Sequence, residues 1–159
     1  MVSQSRDIDL LVIHCAATPN GRPYNARDVD VWHRDRGFKR EKSAAKAWQP
    51  EMESIGYHGV IEVDGAFVPG RHFIEVGAHA TPLNRHSVGL CLIGTDQFTP
   101  RQWATLAWVV TAWRAALPIL GVVGHRAING DKTCPGFDVD AWLDGGMAPL
   151  HQHLLETPS

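Results

Sequence analysis

The chain has 159 residues, 44% hydrophobic and 20% charged, with a net charge of -2, which suits one soluble globular domain with its own core. A sequence pI near 6.5 argues against a nucleic-acid partner, and no apolar run approaches the ~20 residues of a membrane span. Three cysteines without framework spacing argue against a disulfide scaffold and for synthesis in a reducing compartment.

Residues 1–8 read as a polar lead-in. The apolar run that follows, Leu10 to Ile13, is too short for the ~7–15-residue core of a signal peptide, so none is expected. Asp9 to His14 fits a strand buried on both faces. Pro19, Asn20, Gly21 and Pro23 mark a loop. Asn25 is a helix N-cap, and Ala26 to Arg36 continues at helical spacing until Gly37. Phe38 to Trp48 reads as a short helix stopped by Pro50. Tyr57 to Val63 alternates as a strand, Asp64-Gly65 signals a hairpin, and Ala66 to Val68 returns. Arg71 to Arg85 is irregular, and Ser87 to Ile93 is another apolar strand. Thr99-Pro100 opens a helix to about Leu117, with Trp103, Leu106, Ala107, Val110 and Trp113 on one face. Ile119 to Gly124 is strand-length. Asp138 caps a short helix through Leu143, and residues 144–159 read as a loosely docked C-terminal tail. Strands alternating with helices, plus a hairpin, predict an α/β fold: a single domain, residues 1–159, with a mixed central β-sheet flanked by helices.

The chemistry concentrates between His125 and Asp138. His125 sits at the mouth of a strand, and Cys134 returns toward it across a loop turned by Pro135-Gly136. An imidazole and a thiolate converging in this way suit zinc, and His14, at the end of the first strand, is the best third ligand. Two His and one Cys leave one tetrahedral position open, as catalytic zinc sites do. Lys132 lies two residues before Cys134 and can share its direction in an extended loop. His33, His72 and His86 read as structural or surface residues, and Cys15 and Cys91 as buried small apolar ones.

His14-Cys15-Ala16-Ala17-Thr18, Gly56-Tyr57-His58, Val76-Gly77-Ala78-His79-Ala80, Ser87-Val88-Gly89-Leu90-Cys91-Leu92-Ile93-Gly94 and Lys132-Thr133-Cys134-Pro135-Gly136-Phe137-Asp138 occur in that order. Together they resemble the type-2 N-acetylmuramoyl-L-alanine amidases, most closely small phage endolysins and more distantly the peptidoglycan-recognition proteins. The resemblance spans about residues 9–142. It implies one Zn2+ per chain held by His14, His125 and Cys134, with Tyr57 and Lys132 as catalytic groups and His79 and Asn84 lining the substrate cleft. It further implies hydrolysis of the bond between N-acetylmuramic acid and L-alanine in peptidoglycan. The protein would be a monomer made in the host cytoplasm, reaching the wall through a separate membrane pore without inserting into the membrane.

Two alternatives remain open: a recognition module that holds muropeptide without cutting it, and a cytoplasmic muropeptide-recycling amidase. Cys134 argues against both, since loss of the Cys accompanies loss of activity in recognition-type relatives and Asp replaces it in other amidases. No carboxylate pair stands out, which argues against a glycosidase; Glu62 and Glu75 are loose candidates for a general base. Residues 38–55 depart from the shorter link of the phage pattern. The overlapping run from Arg34 to Lys46 is basic through Arg34, Arg36, Lys39, Arg40, Lys42 and Lys46, and it is expected to steer the enzyme onto an anionic wall.

Overall fold

Leu10–Cys15 forms β1, an interior strand with parallel neighbours on both sides: β4 (Ser87–Leu92) and β5 (Gly121–Gly124). A parallel strand covered on both faces has no polar side to present, which is why β1 and β4 read as nearly unbroken apolar runs. β2 (Gly59–Ile61) lies parallel to β4, and the hairpin through Gly65 (φ +88°) returns as antiparallel β3 (Phe67–Pro69). The sheet order is β3-β2-β4-β1-β5, a mixed sheet as expected. The structure is a computed structural model that describes residues 6–119 and 121–156. Residues 1–5 of the lead-in, Leu120 and residues 157–159 of the tail lie outside the described residues.

Strand alternation divides the core. Leu11, Ile13 and Cys15 point to one face, where α3 (Pro100–Ala116) and α5 (Val139–Asp144) bring Trp103, Leu106, Val110 and Trp142. Trp103 and Trp142 are almost completely buried, so truncating either to Ala would cost about 3–5 kcal/mol. On the other face α1 (Ala26–Asp35) lays Ala26 and Val29 over Val60, Cys91 and Ile93. Both long helices begin where their capping residues stand. Asn25 and Asp28 form a reciprocal capping box, as do Thr99 and Gln102, with Pro100 at the first turn.

Several expectations shift in detail. β2 is shorter than the alternating run, and Tyr57 and His58 precede it; Gly70 N–H and Arg71 N–H still donate to the carbonyls of His58 and Tyr57 across the hairpin base. In residues 38–55 the helix is confined to α2 (Lys42–Ala47). The loop after β5 begins with one helical turn, α4 (His125–Ile128).

The tail, expected to be loosely docked, is tied down as far as Leu155. Phe98 N–H donates to His153 O and Leu155 N–H to Phe98 O, while Met147, Leu150 and Leu154 pack on the core. Arg6, read as part of a polar lead-in, donates to the carbonyls of Phe73, Asn84, Arg85 and Ser87.

Candidate metal centre

His14 faces the α1 side of β1, one residue from the strand end. β5 stops at Gly124, level with Ile13, so His125 follows at the height of His14; the two rings lie 4.6 Å apart, centre to centre. The chain returns through a turn in which Lys132 N–H donates to Asn129 O, and Arg126 N–H to Cys134 O. Gly136 allows this return: its φ is +90°, and a Cβ there would lie 2.1 Å from Thr95 O. As a result, the donor atoms of His14, His125 and Cys134 all lie within 4.8 Å of one another. Two imidazoles and a thiol at this spacing are able to hold a zinc ion.

The local electrostatics agree with a cation-receiving site. Burial first, and then the neighbouring rings of His79, His125 and His33, hold His14 well below the usual histidine range. Burial and the Lys132 ammonium lower His125. Both imidazoles therefore stay neutral at pH 7 and keep a lone pair. The Cys134 thiol is pushed up by the adjoining Cys15 thiol and by burial, a preference that a divalent cation would invert. The sulfur already accepts a hydrogen bond from Cys15 N–H at 3.1 Å. Nothing about Cys15 as a small apolar residue signals that contact; it arises because Cys134 crosses the end of β1.

The Tyr57 ring lies 5.0 Å from the His14 ring, and Tyr57 is partly buried. Burial, then the thiols of Cys91, Cys134 and Cys15, raise its hydroxyl well above the usual tyrosine range, so it remains a proton donor. His58 turns away from Tyr57, as alternation predicts, and is anchored: Nδ1 accepts from Gly89 N–H and Nε2 donates to Glu75 O. Lys132 is exposed at the rim, near enough to His125 to depress it. His33, expected to be structural or surface, is buried, accepts from Gly56 N–H and packs with its ring tilted 51° and 5.1 Å from the Tyr57 ring, centre to centre. It supports the tyrosine from behind.

His79 and Asn84 lie on one loop beside the centre, but their polar atoms face inward. Asn84 Oδ1 accepts from His79 N–H and Ala80 N–H. His79 Nδ1 is 2.9 Å from His14 Nε2.

The two loose candidates for a general base differ in how firmly they are held. Both Glu75 oxygens pair with buried Arg40, and one also accepts from His72 N–H. Glu62 accepts from Ala26 N–H at the start of α1. The basic stretch is correspondingly split. Arg40 is buried (5% exposed) and structural, while Arg34, Lys39, Lys42 and Lys46 line a hollow of about 570 Å³.

The β1-β4-β5 parallel core thus carries two histidines and a cysteine at one point, with a half-buried tyrosine and an exposed lysine beside them. The chain belongs to the N-acetylmuramoyl-L-alanine amidase family, whose model matches residues 4–137. Among its relatives is the endolysin of Enterobacteria phage K11, 30% identical over 142 residues that cover 84% of each chain. The amidase LysC from Clostridium intestinale shares the fold, with a TM-score of 0.70 over 88% of this chain and 87% of that one at 23% identity. Drosophila peptidoglycan-recognition protein LB aligns over 87% of this chain and 81% of that one, with a TM-score of 0.60 and 26% identity.

Proposed function

We propose that this protein is a zinc-dependent endolysin that hydrolyses the amide between N-acetylmuramic acid and L-alanine in peptidoglycan during phage lysis of a host cell. The observation that carries the zinc assignment is the convergence of His14, His125 and Cys134 within 4.8 Å, beside a tyrosine that burial keeps protonated. The donor set fits zinc: two neutral imidazoles and a sulfur already accepting an N–H hydrogen bond. When bound, zinc supplies Lewis acidity to the amide carbonyl and to a water molecule.

The chain's own groups do the rest. The Tyr57 hydroxyl donates a hydrogen bond to the amide oxygen as negative charge develops there. The Lys132 ammonium, on the exposed rim, approaches the same oxygen and balances that charge. Glu75 is held in its ion pair with Arg40. His33 keeps the tyrosine ring from swinging away. The Cys134 ligand supports catalysis over binding alone, and the likeness to a phage endolysin supports action on the wall after release from the cytoplasm. Among the described residues no helix is long and apolar enough to cross a membrane. Chelation tests the assignment: metal-free protein, confirmed by elemental analysis, should lose activity on peptidoglycan and regain it with one equivalent of zinc. Full activity without metal would contradict it.

A further inference from the structure

His79 has no ring nitrogen left for a substrate, and the direction of its hydrogen bonds can be read from the far end. Ser87 Oγ donates its single hydrogen to Leu83 O at 2.8 Å. It also lies 3.2 Å from His79 Nε2, where it must therefore accept, so Nε2 carries the His79 hydrogen. His79 Nδ1 is then a bare lone pair 2.9 Å from His14 Nε2, and it must accept a hydrogen from that nitrogen. A neutral imidazole carries one hydrogen. His14 is thus protonated at Nε2, and its lone pair is at Nδ1, the nitrogen left for the centre shared with His125 and Cys134.

The ring is held where this chain requires it. A Cβ on Gly89 would lie 2.7 Å from His79 Cγ and Nδ1, and one on Gly77 would lie 2.7 Å from its Cδ2, so the two glycines form a slot that the imidazole fills. Asn84 Oδ1 fixes the backbone of the same residue by accepting from His79 N–H and Ala80 N–H. Ser87, where the relay ends, opens β4 and is completely buried.

We infer that His79 is a positioning residue: anchored by Ser87, it accepts the Nε2 hydrogen of His14 and thereby sets the tautomer and ring angle with which His14 binds metal through Nδ1. The inference rests on the zinc assignment above. A partner that accepts a metal-bound histidine's second N–H fixes the ring and raises its basicity, and removing such a partner costs about 10–100-fold in metal affinity or activity. It replaces the expectation that His79 contacts substrate: its effect should appear in metal binding before any substrate is added.

The test compares two amides of similar chemistry. Asn places an oxygen near the position of Nδ1 and can accept from His14; Gln carries its amide farther out, near Nε2, and leaves Nδ1 without a counterpart. The wild-type protein is first shown to hold one zinc per chain; failure at this step overturns the zinc assignment itself. Zinc affinity is then measured by chelator competition without substrate, and cobalt-loaded proteins are compared by absorption. His79→Asn should stay close to wild type in affinity and in the cobalt spectrum. His79→Gln should lose about 10–100-fold in affinity and shift the cobalt bands. Ser87→Ala, which leaves the ring in its glycine slot, should give a smaller loss in the same direction and decides the matter if either amide variant is unfolded by circular dichroism. Equal zinc affinity and identical cobalt spectra for His79→Asn and His79→Gln, or an unchanged Ser87→Ala where that variant decides, would overturn the inference.

Discussion

Replacing Arg40 by Ala should be among the most damaging single changes outside the metal centre. Its side chain is fully buried, and that of Glu75 is 8% exposed. The guanidinium donates at 2.9 Å to each Glu75 oxygen, at 2.8 Å to Gln49 O and Met52 O, and at 2.7 Å to Trp48 O. Removing one partner of a buried pair leaves the other charge uncompensated, which costs about 3–5 kcal/mol. Three carbonyls also lose a charged donor, each worth about 1–3 kcal/mol alone but overlapping with the first loss. A net loss of about 5 kcal/mol is a large share of the roughly 5–15 kcal/mol that stabilises a domain. At about 2–4 °C per kcal/mol for a chain of this size, the thermal midpoint should fall by about 10–20 °C. Thermal melts followed by circular dichroism, with urea unfolding as a second measure, read this directly. The double variant Arg40→Met with Glu75→Leu should be more stable than Arg40→Ala, since no charge is then stranded. A fall of less than about 3 °C for Arg40→Ala would refute the reasoning.

Other outcomes follow from the same geometry. Lys132→Ala should lower kcat by about 10²–10³ with zinc content unchanged; a raised KM with intact kcat would make Lys132 a binding residue. Stability should fall as pH drops from about 6.5, because burial lowers His58 to about 3 and His33 to about 4. The unfolded chain then binds protons that the folded one refuses, so the stabilisation is complete above pH 6.5 and lost progressively toward pH 3; urea melts at pH 7, 5.5 and 4.5 check this, and a flat profile would contradict it. Reversing exposed Lys39 and Lys42 to Glu, leaving Arg40 intact, should weaken activity on whole sacculi at low salt and spare a small neutral muropeptide analogue. The difference should close as ionic strength rises, since the screening length is about 8 Å at physiological salt.

Much of this architecture is legible in local chemistry. The caps at Asn25 and Thr99, the turn at Gly65 and the nearly unbroken apolar runs of β1 and β4 each state their structure within a few residues. The convergence of His14 and His125 is readable because strand ends in a parallel sheet gather at one level, and Pro135-Gly136 marks the turn that returns Cys134 to them. What escaped depends on distant partners. Arg40 looks like one member of a solvated basic run until Glu75, 35 residues away, is placed against it. Arg6 reads as lead-in because its acceptors are carbonyls 67 to 81 residues later. His79 reads as a cleft residue because a motif gives its position on a loop but not its neighbours; its contacts with Ser87 and two glycines appear only in space.

The central claim is most directly tested by digesting purified sacculi with the zinc-loaded protein and assaying the released ends. The account predicts new amino-terminal alanine, stoichiometric with solubilised wall and abolished by Cys134→Ser, with no increase in reducing sugar ends. New reducing ends without free alanine amine, or binding to sacculi with neither product, would contradict it.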